Sequence, residues 1–417
     1  MTDLTPKEEC LNKAAVRPAA NFVLYSVATG ISAVGTWMQK AGVGWMAWEL
    51  THSPVWVGAM ALTEVLSAIW VAPLAGTVAD CNNPYRMIWA TQSLAILQAA
   101  ILALLAWTHV LNIWGLFALA LVEATIQGFN HPVRMTTVGL LAGPERLSQA
   151  IASNSVAFNL ARTIGPVFGG IAIQQGGTAI NFLVNAVSYT AMLAAIVYLK
   201  PWLDRPTMFR RSHVISEIAV GIRYIRGAPE ICRLLIVTGV VSLFARPFAE
   251  MFPALVGAVF GGGPETLSLL MSSQGAGAML GALWMLRRHS PDRLQPIVVG
   301  CSLGLSGALV VFSSSIALTV AVPAMVIAGI CHVMFSVALQ SMAQMKAAAD
   351  MKGRVMGIYW LLFRCCPSLG AFIIGLAANL VGLQLLIGGA AFIAGLFSFS
   401  LVIRWRREPV LPAEPAQ

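Results

Sequence analysis

Twelve runs of the chain, near residues 21–48, 55–78, 86–107, 113–135, 151–174, 179–199, 231–257, 266–287, 294–312, 318–343, 354–378 and 385–404, are apolar and long enough to cross a bilayer as helices. About 20 such residues are needed to span a hydrocarbon layer roughly 30 Å thick. The runs are continuous rather than alternating, which spells helices and not the strands of a membrane barrel. Composition closes off the soluble alternative. Hydrophobic residues make up 58 % of the chain and charged ones 10 %, against about 25 % charged in a soluble domain. The expectation is an all-α membrane protein with twelve transmembrane helices, embedded in a lipid bilayer.

Charge sets the orientation. The connections near 49–54, 108–113, 174–179, 258–266, 313–318 and 379–384 hold no Lys or Arg. The alternate ones do: Arg86, Arg146, the cluster from Lys200 to Arg233, Arg287 with Arg288 and Arg293, and Lys346 with Lys352 and Arg354. Both tails are basic too, through Lys7, Lys13 and Arg17 at one end and Arg404, Arg406 and Arg407 at the other. Basic residues stay in the cytoplasm, so both termini are expected there, in a bacterial inner membrane. The net charge of +9 is explained by this placement, and no nucleic-acid partner is implied. The seven cysteines are scattered without C-x-x-C spacing, so neither a disulfide framework nor a metal site is expected. No ATP-binding glycine loop is present, and no cofactor is implied.

The longest connection divides the chain into a tail over 1–20, a six-helix bundle over 21–200, a cytoplasmic linker over 201–230, a second bundle over 231–404 and a tail over 405–417. Within the linker Val214, Ile218, Ile222 and Ile225 recur at helical spacing, the pattern of an amphipathic helix on a membrane surface. The two bundles look like weak repeats. Arg162 is followed by Gly165, Pro166 and Gly169, and Arg364 by Pro367, Gly370 and Gly375, at comparable places in each half.

Three segments carry a resemblance to a known family: Gly35-Thr36-Trp37-Met38-Gln39 with the Trp48–Pro54 stretch, Ala72-Pro73-Leu74-Ala75-Gly76-Thr77-Val78-Ala79-Asp80, and Asn159 through Gly170. With Lys352-Gly353-Arg354-Val355-Met356-Gly357 they resemble the major facilitator superfamily, in its branch of drug and siderophore exporters. The resemblance implies two pseudo-symmetric six-helix bundles that rock about a central substrate site. It implies that Gly76 and Asp80, with Arg86 downstream, form a latch on the cytoplasmic side; the usual basic residue after the Asp is here Cys81. It also implies that Gly165, Pro166, Gly169 and Gly170 form an antiporter motif, which favours export by exchange. Helix 4 departs from a related branch. The run Glu123-Ala124-Thr125-Ile126-Gln127-Gly128 keeps the Gln-Gly pair without the preceding Arg, so that Arg's relay role is not carried over.

Ionisable side chains inside spans are expensive, at about 2.5–3.5 kcal/mol each on insertion scales. Four cations (Lys40, Arg162, Arg246, Arg364) and three acids (Glu64, Glu123, Glu250) lie there. They should face one another or water. Arg246 and Glu250 stand at helical spacing for a pair, and Glu123 and Arg162 are candidates for a second; such pairs can be structural clasps or the coupling machinery. The three acids are the candidate proton carriers, with the cations tuning them or holding an anionic part of the substrate. Trp37, Gln39, Asn159, Gln274, His332 and Trp360 are candidate cavity residues.

The reading that results is a secondary transporter exporting a small amphipathic compound in exchange for protons, working as a monomer and not as an enzyme. Uptake by symport stays open beside it. A membrane enzyme or sensor would need a nucleophile cluster, a metal set or an appended domain that the residues do not spell.

Overall fold

Residues 18–143, 147–203, 214–287, 294–348 and 351–406 are described by a computed structural model, and every regular element among them is helical. In chain order these are α1 (Pro18–Thr51), α2 (Pro54–Cys81), α3 (Pro84–Trp107), α4 (Ile113–Ala142), α5 (Leu147–Tyr198), α6 (Lys200–Leu203), α7 (Val214–Gly227) and α8 (Pro229–Phe244). A 3-10 turn over Arg246–Ala249 follows, then α9 (Phe252–Ala258), α10 (Pro264–Arg287), α11 (Leu294–Ser313), α12 (Leu318–Lys346), α13 (Lys352–Val381) and α14 (Leu383–Arg406). Local chemistry marks the ends. Asn83 accepts from the Tyr85 amide ahead of α3, and Asn112 from the Gly115 amide ahead of α4. Pro occupies the first turn of α2, α3 and α8, where its missing N–H leaves no helical bond unmade.

Nine helices among the described residues are long and apolar enough to cross a membrane, or ten if the end of α7 and α8, bent by 110°, count as one span. Three places account for the difference from the twelve runs read from sequence. First, α1 falls outside the nine. Second, α5 holds a single apolar stretch of 43 residues. At 1.5 Å per residue that is about 65 Å, twice the layer it has to cross. Its helical geometry fails at Gly176 and at Gly177, whose φ of 74° suits glycine. The break falls inside the expected 174–179 connection. Third, the continuous helix expected over 231–257 is interrupted between α8 and α9. Pro247 and Pro253 each remove a backbone donor there, and a 3-10 turn takes the place of α-helix.

The chain forms two compact units, Met1–Glu217 with Gly262–Ser272, and Ile218–Gly261 with Ser273–Gln417. In the first, α1 packs along α5, α2 along α4, and α3 against both α4 and α5. Tyr25, Ile88, Val133, Met192, Ile196 and Leu199 of this unit pack in one buried cluster. In the second, α11 packs on α12 and α14, and α13 on α8. There Gly221 of α7 lies against Arg354 at the start of α13, Tyr224 Oη of α7 accepts from the Ala348 amide in the α12–α13 connection, and Lys346 at the end of α12 pairs with Glu230 of α8. The outward faces stay apolar. Leu104, Val187 and Leu396 are 62, 60 and 54 % exposed, which fits lipid rather than water.

Candidate functional site

Each unit gathers its own intramembrane polar residues. In the first, Lys40 of α1 and Glu64 of α2 meet, Nζ to Oε1, at 2.9 Å. The ammonium also stands 5.0 Å from the centroid of the Trp37 ring. The two side chains keep 27 and 18 % of their surface exposed, so the pair is neither a solvated surface bridge nor a dry one. Two charges that would be costly apart are kept together between neighbouring helices.

Glu123 of α4 is held differently. Its Oε1 accepts from Tyr189 Oη at 2.6 Å and from Gln127 Nε2 at 2.7 Å. Gln127 is one turn along α4, and Tyr189 reaches over from the second half of α5. Tyr189 Oη in turn meets Thr36 Oγ1 of α1 at 3.0 Å. Glu123 as a whole is half-buried, and its Oε2 is buried with no hydrogen-bond partner. The expected contact between Glu123 and Arg162 is therefore not made. Arg162 lies half-buried in the first half of α5, while a neutral phenol and a neutral amide surround the carboxylate.

Gln39 is buried and satisfied. Its Nε2 donates to Gln98 Oε1 at 3.1 Å, and its Oε1 accepts from Asn185 Nδ2 at 2.8 Å. The amide thus joins α1, α3 and α5. Asn159 is half-buried and its carbonyl accepts from Thr163. Of the glycines of the expected antiporter motif, Gly165 and Gly169 lie on α1 and Gly170 against Ser268 of α10. A Cβ at Gly165 would come 2.4 Å from Trp37 Cβ and 2.9 Å from the Val34 carbonyl oxygen, and one at Gly169 3.1 Å from the Met38 carbonyl oxygen. Gly35 of α1 answers from the other side, where a Cβ would fall 2.0 Å from Ser188 Oγ. Small residues at such spacing let helices approach to backbone contact. Arg86 is exposed in the first turn of α3, while the side chains of Gly76 and Asp80 lie outside the described residues.

In the second unit Arg246 is 8 % exposed at the interruption after α8. Its Nε donates to His332 Nε2 at 3.1 Å, and its Nη1 to the Phe363 carbonyl at 2.8 Å and to Ser242 Oγ at 3.2 Å. The guanidinium lies 3.7 Å above the Phe363 ring, which stacks on Tyr359 and meets Trp360 edge-on. Arg246 opens the 3-10 turn and Glu250 follows its last residue, so the two expected partners stand at the two ends of this interruption. Gln274, Glu250, Trp360 and Arg364 are each half-buried.

Two participants, Tyr189 and Asn185, were not singled out in sequence, nor was Arg134, a cation within electrostatic reach of Glu123. Tyr189 and Asn185 sit in an apolar run whose pattern says only that it is membrane-buried, and a Tyr there reads as an interfacial anchor. Arg134 sat at the drawn end of a span, yet α4 continues two turns further to Ala142. No group of three or more His, Cys, Asp or Glu capable of holding a metal occurs among the described residues.

A family model described as a transmembrane secretion effector matches residues 14–410. The chain is similar to the MFS-type transporter YfiS of Bacillus subtilis, at 23 % identity covering 85 % of this chain and 86 % of that one. It is similar to the multidrug efflux pump Tap of Mycobacterium tuberculosis, at 23 % identity and 86 and 87 % coverage. The enterobactin exporter EntS of Shigella boydii is 22 % identical, with 78 and 77 % coverage. Among solved structures, a bacterial homologue of the human lysosomal transporter Spinster shares the fold with a TM-score of 0.70 at 11 % identity, covering 95 % of this chain and 99 % of that one.

Proposed function

Since the chain belongs to the transmembrane secretion effector family of the major facilitator superfamily, we propose that this multi-pass membrane transporter exports a small amphipathic organic compound in exchange for protons. Alternating access across a bacterial inner membrane is the mode, with both termini in the cytoplasm. Named exporters among its relatives support the direction. The coupling reading is carried by the Glu123 carboxyl, with one oxygen fixed by Tyr189 and Gln127 and the other unpartnered. Such a group can take a proton on Oε2 and give it up without rearranging the bonds at Oε1. Lys40 and Glu64 form the second element. A cationic or anionic part of the compound competes for one partner of this pair, and the other is then exposed to water.

The test is substrate-driven proton movement in proteoliposomes carrying a pH-sensitive dye, with a catechol siderophore and a cationic drug as probes. Wild-type protein is expected to move protons against the direction of the compound. Glu123→Gln should abolish the proton signal while retaining compound binding. Proton movement that survives in both Glu123→Gln and Glu64→Gln removes this mechanism, and co-directional movement makes the protein an importer by symport.

A further inference from the structure

Arg134 stands on the same helix as Glu123, α4, and only 8 % of its surface is exposed. From Glu123 to Arg134 a helix makes three rotations and about 20° more, so both side chains leave α4 on one face, about 16 Å apart along the axis. Helical side chains lean toward the N-terminus, which carries the long Arg134 stem back toward the carboxyl. The guanidinium lies within electrostatic reach of Glu123, yet neither group is held by the other. Glu123 keeps Oε1 on Tyr189 and Gln127 while its Oε2 is buried without a hydrogen-bond partner. Arg134 likewise buries Nε and Nη2 without one.

The other titratable and charged groups on the elements packed against α4 have their own places. Lys40 of α1 pairs with Glu64 of α2. Tyr189 of α5 donates to Glu123, and Tyr25 of α1 is within electrostatic reach of Arg134. Arg162 of α5 is half-buried and makes no contact with the carboxylate. Arg86 of α3 is exposed, and Lys200 of α6 stands 5.5 Å from the centroid of the Tyr85 ring. At the level of Arg134, α3 supplies neutral side chains: Thr91 donates to Asn130 of α4 at 3.4 Å, beside a buried Gln92.

Two requirements are met by one interaction. A buried cation is tolerated where opposite charge compensates it, and a carboxylate near a cation holds its proton less tightly. Tyr189 and Gln127 fix where the Glu123 carboxyl sits. The full charge that bears on its proton comes from Arg134.

We propose that Arg134 is a positioning residue for proton exchange at Glu123: from farther along the same face of α4, its guanidinium favours the ionised carboxylate and governs how readily Oε2 gives up a proton. This rests on the reading of Glu123 as the proton carrier, and the experiment separates the two.

Purified full-length protein in detergent is titrated and followed by infrared difference spectroscopy, with the protonated-carboxyl band of Glu123 assigned by its loss in Glu123→Gln. Arg134→Gln should move the midpoint of that band toward higher pH by about one unit, a tenfold gain in proton affinity, the low end of what a neighbouring charge does. Arg134→Lys, which keeps the charge, should hold the midpoint close to that of the wild type. An unmoved midpoint in Arg134→Gln overturns the proposal, as does a Glu123 band that fails to titrate in the wild type. Equal displacement in Arg134→Gln and Arg134→Lys also overturns it, because a purely structural part would act that way. Should Arg134→Gln not fold, the wild type decides: guanidinium bands missing from Arg134→Lys must shift as Glu123 titrates, and constant bands overturn the proposal. None of these spectra depends on transport. Proton movement in proteoliposomes that survives Glu123→Gln would remove Glu123 as the carrier and leave the midpoint shift standing.

Discussion

Tyr189 shows how much a single hydroxyl can organise. It donates to Glu123, meets Thr36 and receives Gln127, and so joins α1, α4 and α5 through one oxygen. Tyr189→Phe leaves Glu123 with Gln127 alone. We expect a loss of about 1–3 kcal/mol in stability, typical of an unsatisfied buried group, and slower gradient-driven flux, checked by melting and by proteoliposome transport. Unchanged flux would leave Tyr189 with a structural part only. The Lys40–Glu64 bridge makes a second prediction. Lys40→Ala should destabilise more than the double variant Lys40→Ala with Glu64→Ala, because the single change strands an acid inside a span. The difference should lie between about 1 kcal/mol for a surface pair and about 3 kcal/mol for a buried one. At this scale legibility was uneven. The expense of lone charges among apolar residues says that Lys40 and Glu64 each need a partner, but not that they find each other. The partner of Glu123 does not follow from it either, because charge balance nominated Arg162, and the geometry supplied neutral donors from a helix whose polar residues look ordinary in sequence.

Helices were legible by length and apolarity, and their joints by glycine and proline. The Gly176–Gly177 break was foreseeable as a connection. The interruption at Pro247 and Pro253 was not foreseen, because apolarity continues unbroken through both prolines while the backbone does not. Close packing of α1 on α5 depends on glycines that sequence could only flag as small. Gly165→Ala would force a methyl to 2.4 Å from Trp37 Cβ and 2.9 Å from a backbone oxygen. An overpacked core typically loses about 1–3 kcal/mol. Gly30→Ala, with nothing within 4 Å of the added carbon, should be neutral or stabilising by the better helix propensity of Ala. Melting temperatures of the two variants side by side check the contrast. Equal behaviour would mean that the α1–α5 contact is not tight.

For the whole molecule, the alternation of connections with and without Lys or Arg is the strongest global signal, since it uses every loop at once. It predicts that a fluorescent protein fused after Gln417 is fluorescent in the cytoplasm. It also predicts that alkaline phosphatase inserted at Ser314, in a connection with no Lys or Arg, is active outside. Inactive enzyme at Ser314 would invert the assigned orientation. Membership of the family is legible from three short motifs, whereas the compound carried is not, because cavity chemistry is assembled from residues distant in sequence. The interruption between Phe244 and Phe252 has one more implication. A span that has already surrendered part of its hydrogen-bond ladder can flex there without breaking bonds elsewhere, so motion in the second unit concentrates at a joint whose Arg246 is tethered to α12 and α13 through His332 and Phe363. Any swing of that joint must pull on two other helices at once, which makes it a natural transmission point rather than a loose end.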